Sequence, residues 1–294
     1  MTRPRLLFDG RAELAEGPVW HGGALWWVEI TAGRLNRLDP ATGMLQARAL
    51  GALVSAAVPT TVEDRLLIAV PDGIEWLDWR TGTRERLHVL EADIPGNRAN
   101  DGKCDPSGRF WIGTMALKAE AGAGSLYRFD GTGPPKAVLG DLTISNGMAW
   151  NREGTVFYFI DTPTQRIDRF DYDPSTGAIS GRAPLRRFDT GDGYPDGMAI
   201  DDSDNLWVAM WGGGAVLCID GRSGETKDRI EIPVSQPTSC CFGGEDGSEL
   251  FITTAWQGLD APQRETEPQA GGIYSCSPGV TGQAARPYRS PQPK

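Results

Sequence analysis

The sequence predicts an all-β fold: a six-bladed β-propeller with four-stranded blades, forming a single domain over residues 1–294. Three observations predict it: six apolar strands at a nearly regular spacing, a turn and a second strand after each of them, and one recurrent polar position ahead of each. Closed all-β architectures of this length occur as one domain. The 38 Gly, 21 Pro and ten Trp favour many short strands joined by turns over long helices.

The apolar strands set the period of the repeat. They read LWWVEI, LLIAV, FWIGTM, VFYFID, LWVAMW and LFITTAW, and they begin at Leu25, Leu66, Phe110, Val156, Leu206 and Leu250. The intervals between them are 41, 44, 46, 50 and 44 residues. This period matches a four-stranded propeller blade and is too long for leucine-rich or ankyrin repeats.

Each apolar strand is followed by a turn and a second amphipathic strand. These second segments begin at Gly33, Gly73, Gly124, Gln165, Gly214 and Gly271. They run into Asp-Pro, Asp-Gly, Thr-Gly or Ser-Gly pairs, which predict tight turns into the outer strand of each blade. We also expect PRLLFDG near the N-terminus to pair beside GGIYSCS in the last blade, because closing the ring removes open sheet edges.

One polar position recurs ahead of every apolar strand, 9 to 11 residues before it. The residues at this position are Glu16, Ser55, Asn100, Asn146, Asp196 and Ser239. Because the first strand of each blade lines the central channel of a propeller, we expect these six side chains to face one another. The alternative is that the NDG, SNG and PDG sequences are only turns, but this does not explain the common offset of Glu16, Asn100, Asn146 and Asp196.

A ring with two carboxylates and two amides favours a cation. Two carboxylates held together in a partly dry channel raise each other's pKa and destabilise the site unless a cation neutralises them. We therefore predict one divalent metal ion on the axis. Oxygen ligands of this kind suit calcium, magnesium or manganese, and zinc or iron(II) accepts such a site when water fills the open positions.

The composition restricts the binding partners and the cellular compartment that we expect for this protein. The net charge of −10 and the absence of Lys or Arg blocks argue against binding to nucleic acid or an anionic membrane. Without a secretory signal or an 18-residue apolar run, we expect a soluble cytoplasmic protein, a monomer or weak oligomer with a small-molecule partner. The five cysteines are odd in number and lack C-x-x-C spacing, so we expect reduced thiols.

Five motifs give a family resemblance. EGPVW at 16–20, RANDGKCDPSGRFWIGTM at 98–115, SNGMAW at 145–150, PDGMAIDDSDNLWVA at 195–209 and PTSCCFGG at 237–244 resemble the senescence-marker-protein/gluconolactonase family, which includes regucalcin. The resemblance implies a propeller that hydrolyses sugar lactones such as glucono-, xylono- or arabinonolactone. It also implies that Glu16, Asn146 and Asp196 are the metal ligands, and that Arg98 and Asn100 contact substrate or water at the metal.

The sequence departs from that family at one substrate-binding position. Several members carry an acidic residue three positions after the GTM motif, where this chain has Lys118, with Glu120 two residues further on. A carboxylate accepts hydrogen bonds from sugar hydroxyls, whereas an ammonium group only donates them. Lys118 therefore puts the sugar specificity, but not the metal site, in question.

Lactone opening suggests roles for the remaining residues. We predict that Asp196 is the general base that takes the proton of the attacking water, and that Tyr194 forms a wall of the sugar site. Asp101 is expected to point away from the ligand or to support the loop. A Ser-His-Asp hydrolase is disfavoured because His21 and His88 are the only histidines and no G-x-S-x-G motif is present.

Two other functions remain open at this point. A propeller often only binds partners, so a non-catalytic calcium-binding or regulatory protein is one alternative. A metal-dependent phosphotriesterase is the other. A pocket closed over the metal or a large exposed apolar patch would favour the non-catalytic calcium-binding protein. An apolar pocket wall, in place of one that binds hydroxyl groups, would favour the phosphotriesterase.

Overall fold

A computed structural model describes residues 3–289, which form twenty-four strands in six antiparallel four-stranded sheets. The first strand is β1 (Arg5–Phe8). Blade 1 contains β2 (Ala15–His21), β3 (Ala24–Glu29), β4 (Arg34–Asp39) and β5 (Met44–Ala49). Blade 2 contains β6 (Ala56–Pro59), β7 (Arg65–Val70), β8 (Gly73–Asp78) and β9 (Arg84–Val89). Blade 3 contains β10 (Asn97–Cys104), β11 (Phe110–Ala116), β12 (Gly124–Phe129) and β13 (Lys136–Leu142).

The second half of the chain completes the ring. Blade 4 contains β14 (Ser145–Trp150), β15 (Val156–Asp161), β16 (Arg166–Asp173) and β17 (Ala178–Arg187). Blade 5 contains β18 (Tyr194–Ile200), β19 (Asn205–Trp211), β20 (Ala215–Asp220) and β21 (Thr226–Glu231). Blade 6 contains β22 (Pro237–Gly243), β23 (Glu249–Thr254), β24 (Ile273–Cys276) and β1. One helix, α1 (Ala261–Thr266), and two 3₁₀ turns, Thr162–Thr164 and Thr190–Asp192, lie between strands.

The apolar segments that set the repeat are the second strands of the blades, as predicted. All six residues of β3 and all seven of β11 are buried, whereas most residues of the outer strand β5 are exposed. Second strands are buried on both faces because neighbouring blades pack against them, which explains why they are continuous apolar runs rather than alternating ones. Trp20 stacks on Phe251 at such a blade interface, with ring centroids 5.2 Å apart.

The ring is closed by pairing between its first and last strands. In blade 6, β1 pairs antiparallel with β24, and Arg5 lies opposite Ser275. This confirms the predicted pairing of PRLLFDG with GGIYSCS. The closure supplies the outer strand of blade 6, so each of the six described sheets has four strands and β24 is not left as an open edge.

Residues 277–289, which we call the C-terminal strap, cross one end of the propeller. The amide of Gln283 donates to the Ile200 carbonyl in blade 5 at 3.1 Å, and the amide of Tyr288 donates to the Pro59 carbonyl in blade 2 at 2.8 Å. The ring of Tyr288 is buried and stacks on Phe129, with centroids 5.7 Å apart. The strap therefore connects blades on opposite sides of the axis, a role that the sequence analysis did not assign to it.

Within residues 3–289, no helix is long and apolar enough to cross a membrane. All five cysteines are free thiols, four of them buried and Cys241 half-buried, in agreement with the expectation of reduced cysteines. The cytoplasmic location and the monomeric or weakly oligomeric state stay predictions.

Candidate metal centre on the propeller axis

The six recurrent polar residues form a buried group at the beginning of the inner strands, and we call them the axial ring. Its members are Glu16, Ser55, Asn100, Asn146, Asp196 and Ser239. Each of them is 8% exposed or less. Five lie within the first strand of their blade, and Ser55 lies one residue before β6. The inner strands run in the same direction around the axis, so the axial ring lies at one end of the channel and the C-terminal strap at the other.

A β-bulge occurs at the axial ring in five of the six inner strands, all of which the structure describes. In blade 1, the three-residue step from Glu16 to Val19 opposes a two-residue step on β3, and β10, β14, β18 and β22 have equivalent irregularities. Only β6 pairs regularly. A bulge adds one residue to one strand and re-aims the side chain there. The bulges therefore direct the axial ring toward the channel.

Glycines beside the axial ring allow neighbouring inner strands to approach one another. A Cβ on Gly147 would lie 2.6 Å from the Asp196 carbonyl oxygen, and a Cβ on Gly197 would lie 2.1 Å from the Ser239 hydroxyl. No side chain fits at such distances. The N-G and D-G pairs that follow Asn146 and Asp196 thus serve close strand packing on the axis.

Hydrogen bonds between neighbouring blades fix the backbone of the axial ring, and we call these four bonds the axial belt. The donors and acceptor carbonyls are Ser55 to Ala99 at 2.6 Å, Asn100 to Ser145 at 2.9 Å, Thr162 to Pro195 at 2.8 Å and Thr238 to Ala15 at 2.6 Å. Each acceptor directly precedes a member of the axial ring in the next blade. The belt therefore holds the residues before Glu16, Asn100, Asn146 and Asp196 in place.

The two amides of the axial ring are held differently. The Oδ1 atom of Asn100 accepts a hydrogen bond from Arg98 at 2.8 Å, and its Nδ2 atom belongs to the axial belt. The Nδ2 atom of Asn146 donates to the Thr162 hydroxyl at 3.0 Å, but its buried Oδ1 atom has no hydrogen-bond partner among the described residues. Buried amide oxygens are rarely left without a partner. Asn146 thus presents a free oxygen, and Asn100 does not.

The two carboxylates of the axial ring titrate abnormally. Burial, aided by the negative charge of Asp101, raises the pKa of Glu16 to about 8, against the opposing influence of the Gly17 amide and the Arg98 charge. Burial and the charges of Glu16 and Asp101 raise the pKa of Asp196 well above its usual range. One Asp196 oxygen, Oδ1, is buried without a hydrogen-bond partner in the described part of the chain.

These observations fit a divalent cation. Glu16, Asn146 and Asp196 together supply oxygen atoms that can bind a metal, two of which are buried without a partner in the part of the chain that the structure describes. A positive ion would favour the ionised form of both acids. Within the described ranges, no group of three or more His, Cys, Asp or Glu side chains is arranged to hold a metal. The group of candidate metal ligands therefore needs the Asn146 amide as its third member, beside the carboxylates of Glu16 and Asp196.

Arg98 lies beside these acids. Its guanidinium donates to the Ala99 carbonyl and to Asn100 Oδ1, both at 2.8 Å. Burial lowers the pKa of Arg98, while the charges of Glu16 and Asp196 raise it. Arg98 and Asn100 were predicted to contact substrate or water at the metal, and the structure brings the two side chains together next to the candidate metal site.

Asp101 and Lys103 also enter the channel, which the sequence analysis missed. Asp101 was expected to point away from the ligand or to support the loop; it is 8% exposed and lines a cavity of about 100 Å³ below the axial ring. Lys103 lines the same cavity, and its Nζ donates to the Met198 carbonyl of blade 5 at 2.7 Å. The bulge between Ala99 and Gly102 changes the alternation of side chains in β10, so two consecutive residues, Asn100 and Asp101, are both buried at the channel.

The predicted substrate residues at the rim are less constrained. Tyr194 begins β18, two residues before Asp196, and is 47% exposed. Lys118 is exposed in the loop that follows β11, at the same end of blade 3 as Arg98. His21 is exposed at the end of β2, and His88 packs its ring against Phe129 at 5.1 Å, so neither histidine belongs to the site.

A six-bladed propeller with a buried, oxygen-rich site on its axis defines the class of this protein. The chain belongs to the SMP-30/gluconolactonase/LRE-like family, whose model matches residues 14–256. It is 36% identical, over 95% of this chain and 96% of the relative, to YvrE of Bacillus subtilis, to which a sugar lactone lactonase activity is ascribed.

Two regucalcins are similarly close. Regucalcin of Xenopus laevis is 36% identical over 92% of this chain and 93% of its own. The crystal structure of a regucalcin from Agrobacterium tumefaciens, described as a calcium-binding protein, superposes with a TM-score of 0.94 at 35% identity and covers 98% of both chains. The family thus includes proteins named as sugar lactonases and proteins named as calcium binders.

Proposed function

We propose that this protein hydrolyses a sugar (aldono-) lactone, such as glucono-, xylono- or arabinonolactone, to the aldonic acid, with one divalent metal ion held by Glu16, Asn146 and Asp196. The observation that carries the proposal is the pair of buried oxygens at the axial ring, Asn146 Oδ1 and Asp196 Oδ1, that have no hydrogen-bond partner within residues 3–289. Membership of a family with lactonases supports the reaction class. Calcium, zinc, manganese and iron(II) are the candidate ions.

In the proposed reaction, the metal ion and the residues of the chain have different roles. A divalent ion in this position supplies positive charge that polarises an ester carbonyl and keeps both carboxylates ionised. Asp196 accepts a proton from water as the water oxygen bonds to the lactone carbonyl carbon. When the ring C–O bond breaks, the same proton passes to the ring oxygen, and the product is the open hydroxy acid.

The neighbouring residues position the substrate. Arg98 and Asn100 are hydrogen-bonded to each other, so a donor fork and an amide are held at fixed positions beside Asp196. Five guanidinium N–H groups can serve a carbonyl or several hydroxyls. Tyr194 and Lys118 stand at the exposed rim, where they contact the part of the sugar that is remote from the ester.

A pH-indicator assay tests the proposal. Freshly dissolved glucono-, xylono-, arabinono- and galactonolactone are offered to EDTA-treated protein and to the same protein with calcium, zinc, manganese or iron(II) restored. We expect metal-dependent acid release above the spontaneous rate on at least one lactone. Rates equal to the spontaneous hydrolysis with every ion and every lactone would refute the enzymatic proposal.

A second candidate is calcium binding without turnover, favoured by the two regucalcins among the relatives. In that case calcium binds to the protein in calorimetry, Glu16→Gln weakens the binding, and no lactone is hydrolysed. The same preparation thus decides between the two candidates.

A further inference from the structure

Thr162 contacts both candidate ligand strands from outside them. It is the first residue of the 3₁₀ turn after β15, is 9% exposed and belongs to none of the motifs of the inner strands. Its hydroxyl lies 3.0 Å from Asn146 Nδ2 and 2.8 Å from the Pro195 carbonyl oxygen. The same atom therefore links blade 4 to blade 5 at the axial ring.

We infer that Thr162 is a positioning residue for the metal site, and that its hydroxyl determines which end of the Asn146 amide faces the ion. This inference rests on the proposed metal site and deepens it. Thr162 does not contact the ion or the substrate in this arrangement; it acts through Asn146.

The direction of the hydrogen bonds explains the selection. A hydroxyl has one proton to donate, and a carbonyl oxygen can only accept, so the proton of Thr162 goes to Pro195. Toward Asn146 the hydroxyl can then only accept, and it must meet the NH₂ end of the amide. The Oδ1 end is left free, which is the end that can bind a cation.

Without the hydroxyl, the only other contact that favours this orientation in the described part of the chain is the hydrogen bond of the Asn146 side chain with the Asp196 carboxylate, which is itself a proposed ligand of the ion. A rotation by half a turn would direct NH₂ toward the ion, and an amide nitrogen that carries two hydrogens offers no lone pair to a hard cation. Residues that orient a metal ligand commonly change metal affinity by about 10- to 100-fold when they are removed.

Thr162 differs from the other side chains of the axial belt in one respect. Ser55 and Thr238 also donate to carbonyls that precede members of the axial ring, but among the described residues neither hydroxyl is hydrogen-bonded to a proposed ligand side chain. Thr238 is the closest match because its Oγ1 donates to Ala15, the residue before Glu16, at 2.6 Å. A loss specific to Thr162 would therefore come from the amide contact rather than from the belt.

The test measures calcium affinity by titration calorimetry on the full-length, EDTA-treated protein, with calcium chloride as the probe. We expect Thr162→Val, which keeps the shape but not the hydroxyl, to weaken binding about 10-fold or more. Thr162→Ser should restore it to within about 3-fold of the unaltered protein. Thr238→Val is the control for loss of an axial-belt hydrogen bond, because it removes the bond to the Ala15 carbonyl. Thr164→Val removes a hydroxyl of the same turn that donates only to the Asp161 carbonyl.

Each result of these titrations either supports or overturns the inference about Thr162. Unchanged affinity in Thr162→Val, equal losses in Thr162→Val and Thr238→Val, or no rescue by serine would each overturn it. If the unaltered protein does not bind calcium, the titration is repeated with zinc, manganese and iron(II); failure to bind any of these ions refutes the proposed metal site, which is a different result from binding that is indifferent to Thr162. Thermal unfolding checks that each variant is folded, and Thr162→Ala replaces the valine variant if that one is not.

Discussion

The two ends of the propeller channel contrast in the polar groups that they present: side-chain oxygens at the axial ring, and hydrogen-bonded backbone at the C-terminal strap. At the axial ring, Asn146 and Asp196 bury oxygens that lack partners among the described residues. At the other end, the backbone of the C-terminal strap is hydrogen-bonded to blades 2, 3 and 5, and Tyr288 fills an aromatic pocket. The same inner strands run through both ends, so the difference lies in the side chains and bulges near their beginnings.

This contrast indicates that the axial ring serves ligand binding and that the C-terminal strap serves stability. Buried polar atoms without partners cost free energy of folding, so a fold retains them where they have another use. At the strap end, the buried ring of Tyr288 contributes packing instead. We therefore expect substitutions at the axial ring to change turnover and metal binding, and substitutions at the strap to change stability.

The largest effect is expected from Asp196→Asn. It removes the predicted base and one charged ligand, and the turnover number should fall by about 1,000-fold, within the range for loss of a general base. The melting temperature of the metal-free variant should be equal to or above that of the unaltered protein, because a buried acid is removed. Steady-state lactone hydrolysis and thermal unfolding measure the two quantities, and near-normal turnover would rule out the base assignment.

Tyr288→Ala should have the next largest effect, at the opposite end. Truncating a buried aromatic ring lowers the free energy of unfolding by about 3 kcal/mol, while the affinity for calcium should not change. Tyr288→Phe keeps the stacking on Phe129 and should cost less than about 1 kcal/mol. Urea unfolding measures both variants. A larger loss of metal affinity than of stability in Tyr288→Ala would contradict the division between the two ends.

The metal-free protein should lose stability as pH rises. The folded pKa of Glu16 is about 8, above its ordinary value of 4.5, so the folded state holds a proton that the unfolded chain releases. This contribution is fully present below pH 4.5 and is lost as pH rises to about 8. Thermal unfolding with EDTA should show the decline across this window. Glu16→Gln should reduce it, and an identical pH profile in that variant would refute the assignment.

The smallest effect is expected from Lys118→Glu at the rim. Because Lys118 is exposed, the substitution should leave stability and calcium affinity unchanged. The Michaelis constant for a neutral aldonolactone should fall by less than about 10-fold, since a carboxylate accepts hydrogen bonds from sugar hydroxyls. Kinetics on the lactone panel measure this, with Glu120→Gln as a control in the same loop. If Lys118→Glu has the same kinetic constants as the unaltered protein on every lactone, Lys118 lies outside the substrate site.

The repeat and the axial ring could be predicted from the sequence because both depend on spacing. Burial between blades makes the second strands continuous apolar runs, and the position of Glu16, Asn146 and Asp196 relative to them is nearly constant. These regularities reflect the geometry of one blade. They hold in every blade and can therefore be counted along the chain.

The features that were missed arise between blades or from irregular backbone. Regular alternation predicts that Asp101 points away from the side on which Asn100 lies, and the bulge in β10 removes that alternation. Thr162 reaches the axial ring from a turn outside the inner strands, so no repeat reveals it. Likewise, the strap crosses the ring once and has no counterpart among the described residues of the other blades. Contacts of this kind need the assembled ring before they can be recognised.

The strap and the first strand also determine when the protein can finish folding during synthesis. The partner of β1 is β24, about 270 residues later in the chain, and Tyr288 binds between blades that are made long before it. Neither closure can form until those late residues leave the ribosome. Such distant pairing slows folding and leaves strand edges exposed meanwhile. A nascent chain with all six axial strands complete is therefore still an open ring, and chaperone binding should persist until translation passes Tyr288.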